Sequence, residues 1–514
     1  MLSNKIVMKN SLISTIGHMC SMLLGFFAQR CFVHYLGLEV QGINAVICDM
    51  LNFLSLAELG VGSAIVFRMY KPIVENNTEM IASLMQMYRF FYRIIGLVVF
   101  IIGNLLLLFL PVFMKDQTTG MGYVRLAYYV QLISTTSTYF FSYKRSLLFA
   151  DQKQYICKMV DIGANILFTL VRIVTLLLFH SYMLYLVLQL GQNLLSNGII
   201  TIYCNKKYPY IRTKKIKKYE NTREIFVDTK DILFGKIAGY VYNATDNLVI
   251  SSFDGLVSVG GLTNYKYVTN SVKNLISSMT DPIMASVGNY VQAKTVDDSY
   301  RMFQRYTFIR YVVANIVATG LFVCTGTFVG LFYGEEFLMS QTIPLLIVTE
   351  LYIGIIYGPL GEFTSVLGYF SYEKYIHMAG AAINLITSIW LIQVVGIEGV
   401  MIGTCLSQAF FWVAKSILLF TKYFQSKEKL IQMWKRYLVY TFVVIIQAGG
   451  IFFFTQNIIG AAYTVPVFLL EVLLCILIPV IVMSILFGRT EEYQYTLGMV
   501  KGIAEKLWKK VKGA

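Results

Sequence analysis

Lysines and arginines inside apolar runs are the residues of this chain whose type and spacing could do chemistry. Lys266 and Lys273 stand seven residues apart, with Asn270, Ser277 and Asp281 in steps of three or four on the same helical face. At 1.5 Å per residue the two lysines lie about 10 Å apart along a helix axis. Arg30 and Arg172 occupy two further apolar runs. An unpaired cation at the centre of a spanning helix costs about 2.5–3.5 kcal/mol or more. An anionic ligand relieves that cost, and a diphosphate suits it well. Arginine meets phosphate through paired hydrogen bonds, and lysine meets it as a point charge. The alternative is internal pairing with Asp161, Glu58 or Asp246. For Lys266 and Lys273 ligand contact is the stronger reading, because their own helix carries no acid nearer than Asp281.

The elements that hold these residues are membrane helices. Of the 514 residues 57% are hydrophobic and only 14% charged, where a soluble surface calls for about 25% charged. A spanning helix takes roughly 20 apolar residues, so the length accommodates about fourteen. We place them near 11–33, 43–67, 90–113, 123–143, 158–180, 182–204, 231–253, 258–288, 307–332, 342–368, 375–395, 398–421, 437–455 and 464–487. Lys5 and Lys9 precede the first run with no small-residue cleavage site, so a first spanning helix is expected there rather than a removed signal peptide.

The net charge of +15 is not spread as a nucleic-acid surface would spread it. Basic residues fill alternate gaps: Arg68, Lys71, Arg89 and Arg93; Lys144, Arg145, Lys153 and Lys158; nine between Lys206 and Lys230; then Lys294, Arg301 and Arg305, Lys374, and Lys422 to Arg436. The other gaps carry Glu39, Asp254, Glu335, Glu336 and Glu398, with Lys115 and Arg125 as exceptions. This positive-inside pattern places both termini in the cytoplasm. The polar stretch 206–230 divides the chain into an N-terminal half, 1–205, and a C-terminal half, 231–422, of six helices each. The pair 437–487 and a basic amphipathic cytoplasmic tail, 488–514, follow. Residues 36–42 (LGLEVQG) and 254–260 (DGLVSVG) share G-L-x-x-x-G in the first outside loop of each half, which makes the halves parallel repeats. In the tail, Leu497, Val500, Ala504, Leu507 and Val511 fall at helical spacing among lysines. That suits a helix on an anionic leaflet, or a solvated basic tail.

Six expected helices carry polar stripes. Besides the lysine face they include Lys236, Tyr240, Asn243, Asp246 and Asn247; Asp161, Asn165 and Arg172; Gln131, Thr135, Thr138, Ser142 and Arg145; Ser11, Ser14, His18, Ser21 and Gln29; and Asn44, Asn52, Ser55 and Glu58. One stripe is a hydrogen-bonded packing seam; six are better explained by a shared hydrated cavity. Enzyme signatures are missing. The sequence has no GxxxxGK[ST] and no HExxH, its four histidines are scattered, and its eight cysteines show no CxxC spacing. No cofactor and no metal are expected.

The stretches 35–72 (YLGLEVQGINAVICDMLNFLSLAELGVGSAIVFRMYKP), 245–268 (TDNLVISSFDGLVSVGGLTNYKYV) and 395–404 (VGIEGVMIGT) resemble bacterial polysaccharide flippases. These are the Wzx-type O-antigen and capsule flippases of the multidrug/oligosaccharidyl-lipid/polysaccharide exporter superfamily. The resemblance implies an all-α polytopic fold of about fourteen helices, with two six-helix lobes around a central cavity and a C-terminal helix pair. It implies an undecaprenyl-diphosphate-linked oligosaccharide as substrate, moved from inner to outer leaflet of the bacterial cytoplasmic membrane by alternating access. Coupling to a proton or sodium gradient is implied too, with Asp246, Asn243 and Asn384 as coupling-ion candidates by location. Lys266, Lys273, Arg30 and Arg172 take the part of the family's cavity cations. Membrane lipids, and the polymerase and glycosyltransferases of the same pathway, are the implied partners.

Three other readings stay open. A peptidoglycan lipid II flippase is the reading nearest to this one. A multidrug cation antiporter of the same superfamily would place acids, not cations, in its cavity. A membrane polymerase would carry large outside loops, and those here are short.

Overall fold

The computed structural model describes residues 4–54, 61–114, 117–213, 245–460 and 462–512. They form helices and turns and no strand. The chain divides into two compact units, Met1–Thr263 and Asn264–Ala514.

The first unit holds α1 (Asn4–Leu54), α2 (Val61–Val74), α3 (Thr78–Leu106), α4 (Leu110–Phe113), α5 (Met121–Ala150), α6 (Gln154–Phe179), α7 (Tyr182–Lys207) and α8 (Tyr210–Thr213). Residues 245–253 form α9, and the first turns of α10 (Leu256–Ala293) also belong here. The second unit holds the rest of α10, then α11 (Val296–Phe332), α12 (Thr342–Val366), α13 (Phe370–Val395), α14 (Ile397–Lys422), α15 (Lys427–Phe454), α16 (Val465–Phe487) and α17 (Glu491–Lys512).

Short polar residues start several of these helices. The side chains of Asn77, Ser181, Thr295 and Ser426 accept from the free backbone N–H groups opening α3, α7, α11 and α15, at 3.0, 3.4, 3.2 and 3.3 Å. Left-handed residues close the turns, among them Asn76, Gln152, His180 and Gln425.

The expected loop at 34–42 shrinks to a kink within α1: two helical stretches meet at Gly37, which alone leaves helical geometry, at φ 81°. A residue without Cβ can take that value at little cost, so a single position makes the whole bend. Glu39, just past the bend, accepts the N–H groups of Thr118 and Thr119 at 2.7 and 2.8 Å.

Nine helices among the described residues are long and apolar enough to cross a membrane. α5, α7 and α10 are long enough but too polar to qualify by composition. Their polar residues lower the mean. Lipid-facing chemistry is plain elsewhere: Leu97, Ile101 and Leu105 on α3, Ile386 and Trp390 on α13, and Ile481 and Ile485 on α16 are all exposed. In the second unit an aromatic core joins α11, α12, α14 and α15. Tyr311 stacks on Tyr440 at 4.0 Å, and Phe303 meets Phe363 and Phe420 edge-on at 5.3 and 5.8 Å.

The charge pattern predicts which turns face outward. Cysteine at Glu335 or Glu398 is expected to react with an impermeant maleimide in intact cells, and cysteine at Lys217 only after permeabilisation. Labelling at Lys217 in intact cells would reverse the orientation.

Candidate functional site

Each unit contributes its own charged and polar groups, built on neighbouring helices. In the first unit Gln131 of α5 is a hub. Its amide donates to Asn44 Oδ1 at 3.0 Å and to Tyr182 OH at 3.1 Å, and its carbonyl accepts from Cys48 Sγ at 3.4 Å. α1, α5 and α7 are thus tied by side chains spaced three or four apart along α1 and α5, the faces the sequence marks as stripes.

Nearer the far end of α5, Arg145 meets Asp161 of α6 through two hydrogen bonds of 2.7 and 2.8 Å. The same guanidinium reaches Asn197 at 2.9 Å and Ser196 at 3.0 Å on α7. Arg145 therefore clamps α5, α6 and α7 together, and Asp161 is committed to it.

Glu58 lies outside the described residues, and among them Arg172 then meets no acid. Its contacts are Phe168 O at 3.3 Å, Thr169 Oγ1 at 3.1 Å, Gln192 Oε1 at 2.9 Å and Tyr185 OH at 3.5 Å, with the Tyr185 ring 5.1 Å from the guanidinium. All are neutral. The half-buried guanidinium is oriented by dipoles but its charge is not offset by them.

Arg30 lies at nearly the same level. Gly17 of α1 packs on Ile162 of α6, and Tyr35 stacks by His180 with ring centroids 4.6 Å apart. Both contacts have an offset of 145 residues, so α1 and α6 run parallel in register. Arg30 is then within one turn of Arg172, about 4–5 Å along the axis. Arg30 is exposed.

In the second unit Lys266 is half-buried and Lys273 exposed, with Asn270 and Ser277 also exposed on that side of α10. The adjacent face, about 80° round the helix, carries Tyr265, Thr269 and Ile276, all buried. A lysine stripe turned away from the packed side fits water or a polar ligand, not lipid. Of the coupling-ion candidates, Asp246 is buried in the first unit. Asn384 is fully buried in the second; its amide donates to Thr404 Oγ1 at 3.0 Å, and its Oδ1 has no partner. Asn243, together with Glu58, Lys236, Tyr240 and the basic stretch 214–230, lies outside the described residues.

The sequence reading missed three buried charge sites in the second unit. Arg310 of α11 pairs with Glu362 of α12 at 3.2 Å, and Tyr306 donates to the same carboxylate. Lys415 of α14 pairs with Glu373 of α13 at 3.3 Å, and Thr364 donates to that carboxylate at 2.6 Å. Two glycines of α12 make room. A Cβ at Gly358 would lie 2.8 Å from Arg310 Cζ, and one at Gly361 would lie 3.1 Å from Lys415 Nζ. The third site is Glu471 on α16. Intramembrane position was the available signal for all three, but none belongs to a stripe.

One further contact is reciprocal. A Cβ at Gly42 would lie 2.8 Å from the carbonyl carbon of Leu256, and one at Gly260 would lie 2.8 Å from that of Leu38. Both carbonyl oxygens are closer still. Gly37 and Gly255, which precede the two leucines, have φ of 81° and 96°. The repeated G-L-x-x-x-G is therefore a contact between its own two copies, inside the first unit.

The family described as Polysaccharide biosynthesis protein matches residues 7–288. That span includes the first two stretches on which the resemblance rests. Among solved structures, the lipid II flippase MurJ in an inward closed conformation is 16% identical, with 93% of this chain and 99% of that one covered and a TM-score of 0.66. An inward-facing multidrug resistance MATE family transporter of the MOP superfamily is 16% identical, with 80% and 96% covered and a TM-score of 0.58. The Vibrio cholerae MATE transporter VcmN in its bent form is 14% identical, with 84% and 100% covered and a TM-score of 0.51. At these identities the likeness is one of fold. No curated protein matches the chain at a significant level.

Proposed function

This chain belongs to the polysaccharide biosynthesis protein family, and from that premise we propose that it flips a diphosphate-linked oligosaccharide lipid across the bacterial cytoplasmic membrane. The carrier is undecaprenyl diphosphate, the direction is inner to outer leaflet, and the chain performs no covalent chemistry. The observation that carries the reading is Arg172, a half-buried cation held, among the described residues, by neutral groups and level with Arg30; the second unit carries the lysine stripe of α10. A sugar hydroxyl stripped into hydrocarbon unpaired costs about 4–8 kcal/mol on the harshest scale. A polar cavity avoids that cost while the lipid tail stays in the bilayer. Cations suit the diphosphate at the junction of the two, and they speak against a cation exporter.

We assign Arg172, Arg30, Lys266 and Lys273 to the diphosphate and leave Asp246 and Asn384 as candidates for a coupling proton or sodium ion. A charged hydrogen bond contributes about 1.5–3 kcal/mol, so Arg172→Gln is expected to cut flipping about tenfold or more. The Lys266→Gln, Lys273→Gln pair is expected to do the same, with both proteins still inserted. Arginine at either lysine position keeps charge and should keep part of the activity. The measurement is surface glycan display at matched protein level. Full display by both the Arg172 variant and the double lysine variant would refute the reading.

A second reading has one observation in its favour. The lipid II flippase covers 93% of this chain, against 80–84% for the multidrug transporters above. Complementation of a strain lacking its lipid II flippase separates the two substrates: growth assigns the peptidoglycan precursor, and no growth with restored glycan display assigns the surface polysaccharide.

A further inference from the structure

α16 is the most apolar of the described helices long enough to cross a membrane, with a mean hydropathy of 2.9. Its single ionisable side chain capable of charge at neutral pH is Glu471, and that side chain points inward, 1% exposed. One carboxyl oxygen accepts from Thr327 Oγ1 of α11 at 3.0 Å, and the other, Oε2, is buried with no partner.

Among the described residues no counter-charge faces it. α11 presents Cys324 and Thr327, and its stretch 311–332 has no charged residue. α15 presents Ile451, and its stretch 437–454 has none either. On α16 itself the nearest titratable group is Cys475, one turn on, in the same apolar cluster as Cys324. Beyond α11, Glu335 and Glu336 are exposed acids and would add only repulsion.

An ionised carboxylate in such a place costs several kcal/mol even after relaxation, and such groups neutralise instead. The neutralising agent can be a proton or a metal cation. A hard divalent cation takes six or more oxygens; the side-chain oxygens placed here are the two of the carboxyl and the hydroxyl of Thr327. No cluster of metal-ligating residues exists among the described residues. A proton needs one oxygen.

We propose that Glu471 is a proton-binding site, occupied in this conformation, and that release of its proton loosens α16 from α11. The site is separate from the cavity cations and from Asp246 and Asn384. It does not depend on which lipid is carried. Ionisation leaves a naked charge between two apolar helices, and the relief available is water. Water reaches Oε2 only if the helices part. Protonation and packing of the C-terminal helix pair are thereby one equilibrium.

The test uses the full chain, purified in lipid nanodiscs, in wild-type and Glu471→Gln forms. Infrared difference spectra at neutral pH are expected to show a protonated-carboxyl carbonyl band in the wild type that is lost in Glu471→Gln. As pH rises the band should vanish. Maleimide labelling of Cys475, 2% exposed and kept as the sole cysteine, should accelerate over the same pH range. In Glu471→Gln that acceleration should be absent. Glutamine preserves the shape and the bond to Thr327, so folding is expected to be unchanged; thermal unfolding of both proteins checks this. No band difference between the two proteins at neutral pH overturns the proposal. Identical labelling profiles in the two overturn the coupling to helix packing.

Discussion

Replacing Gly260 with alanine is expected to expose the first turn of α10. At Gly42 and Gly260 a new Cβ would press on backbone, the carbonyls of Leu256 and Leu38. A flexible side chain could swing aside; a carbonyl within a helix cannot without moving the helix. Overpacking of a tight contact costs about 1–3 kcal/mol and occasionally more, and backbone against backbone belongs at the upper end. A penalty of that size changes the population of the closed contact by about tenfold to a hundredfold. Leu256 is 2% exposed, so a cysteine placed there reports on the contact. Its labelling by a small maleimide should rise about tenfold in Gly260→Ala and further in the Gly42→Ala, Gly260→Ala pair. Unchanged protection in the double variant would mean that the two copies of the motif separate freely and that their closeness decides nothing.

The second large effect is expected at Lys415. Its ammonium and the Glu373 carboxylate are both buried, at 8% and 10% exposed. The Thr364 hydroxyl supports the acid at 2.6 Å, but it is neutral. Breaking a buried pair by deleting one partner costs about 3–5 kcal/mol, because the other charge is left uncompensated. Lys415→Met should therefore lower stability by about that much, read as the shift in thermal unfolding of the purified protein. Adding Glu373→Gln removes the stranded charge and should recover most of the loss. A single variant as stable as wild type would mean that water already reaches the pair. A double variant no better than the single would place the loss in packing against Gly361 and Tyr357 instead.

These outcomes rest on residues that differ in how far they could be read from sequence. Periodicity of three and four picks out Gln131, Asp161, Arg172, Lys266 and Lys273, because a helix turns every 3.6 residues whatever it later packs against. Partner choice is another matter. Arg145 reads as the end of a polar stripe, and only the fold turns it onto Asp161 with both hydrogen bonds. Arg310 and Glu362 are 52 residues apart, and Lys415 and Glu373 are 42 apart; nothing local links either pair. Glu471 is hidden for the opposite reason. A single acid in an apolar run makes no pattern, and its meaning depends on which face of α16 meets α11. The bend at Gly37 was read as a loop of nine residues because a glycine beside polar residues usually marks one. Here one residue absorbs the whole change of direction.

The crossed contact of Gly42 with Leu256 and Gly260 with Leu38 has the form of an isologous interface, in which each copy of a patch is also its own partner. Such interfaces are usually made by two identical chains; here one polypeptide supplies both sides. Substitutions in the patch are then not independent events. A larger side chain at either glycine meets an unaltered carbonyl from the other copy, and no change in that copy short of moving its backbone compensates. The two halves are free to drift apart over their lipid-facing surfaces but are held alike at the two glycines and the leucine of this motif. That accounts for the motif's persistence in both halves.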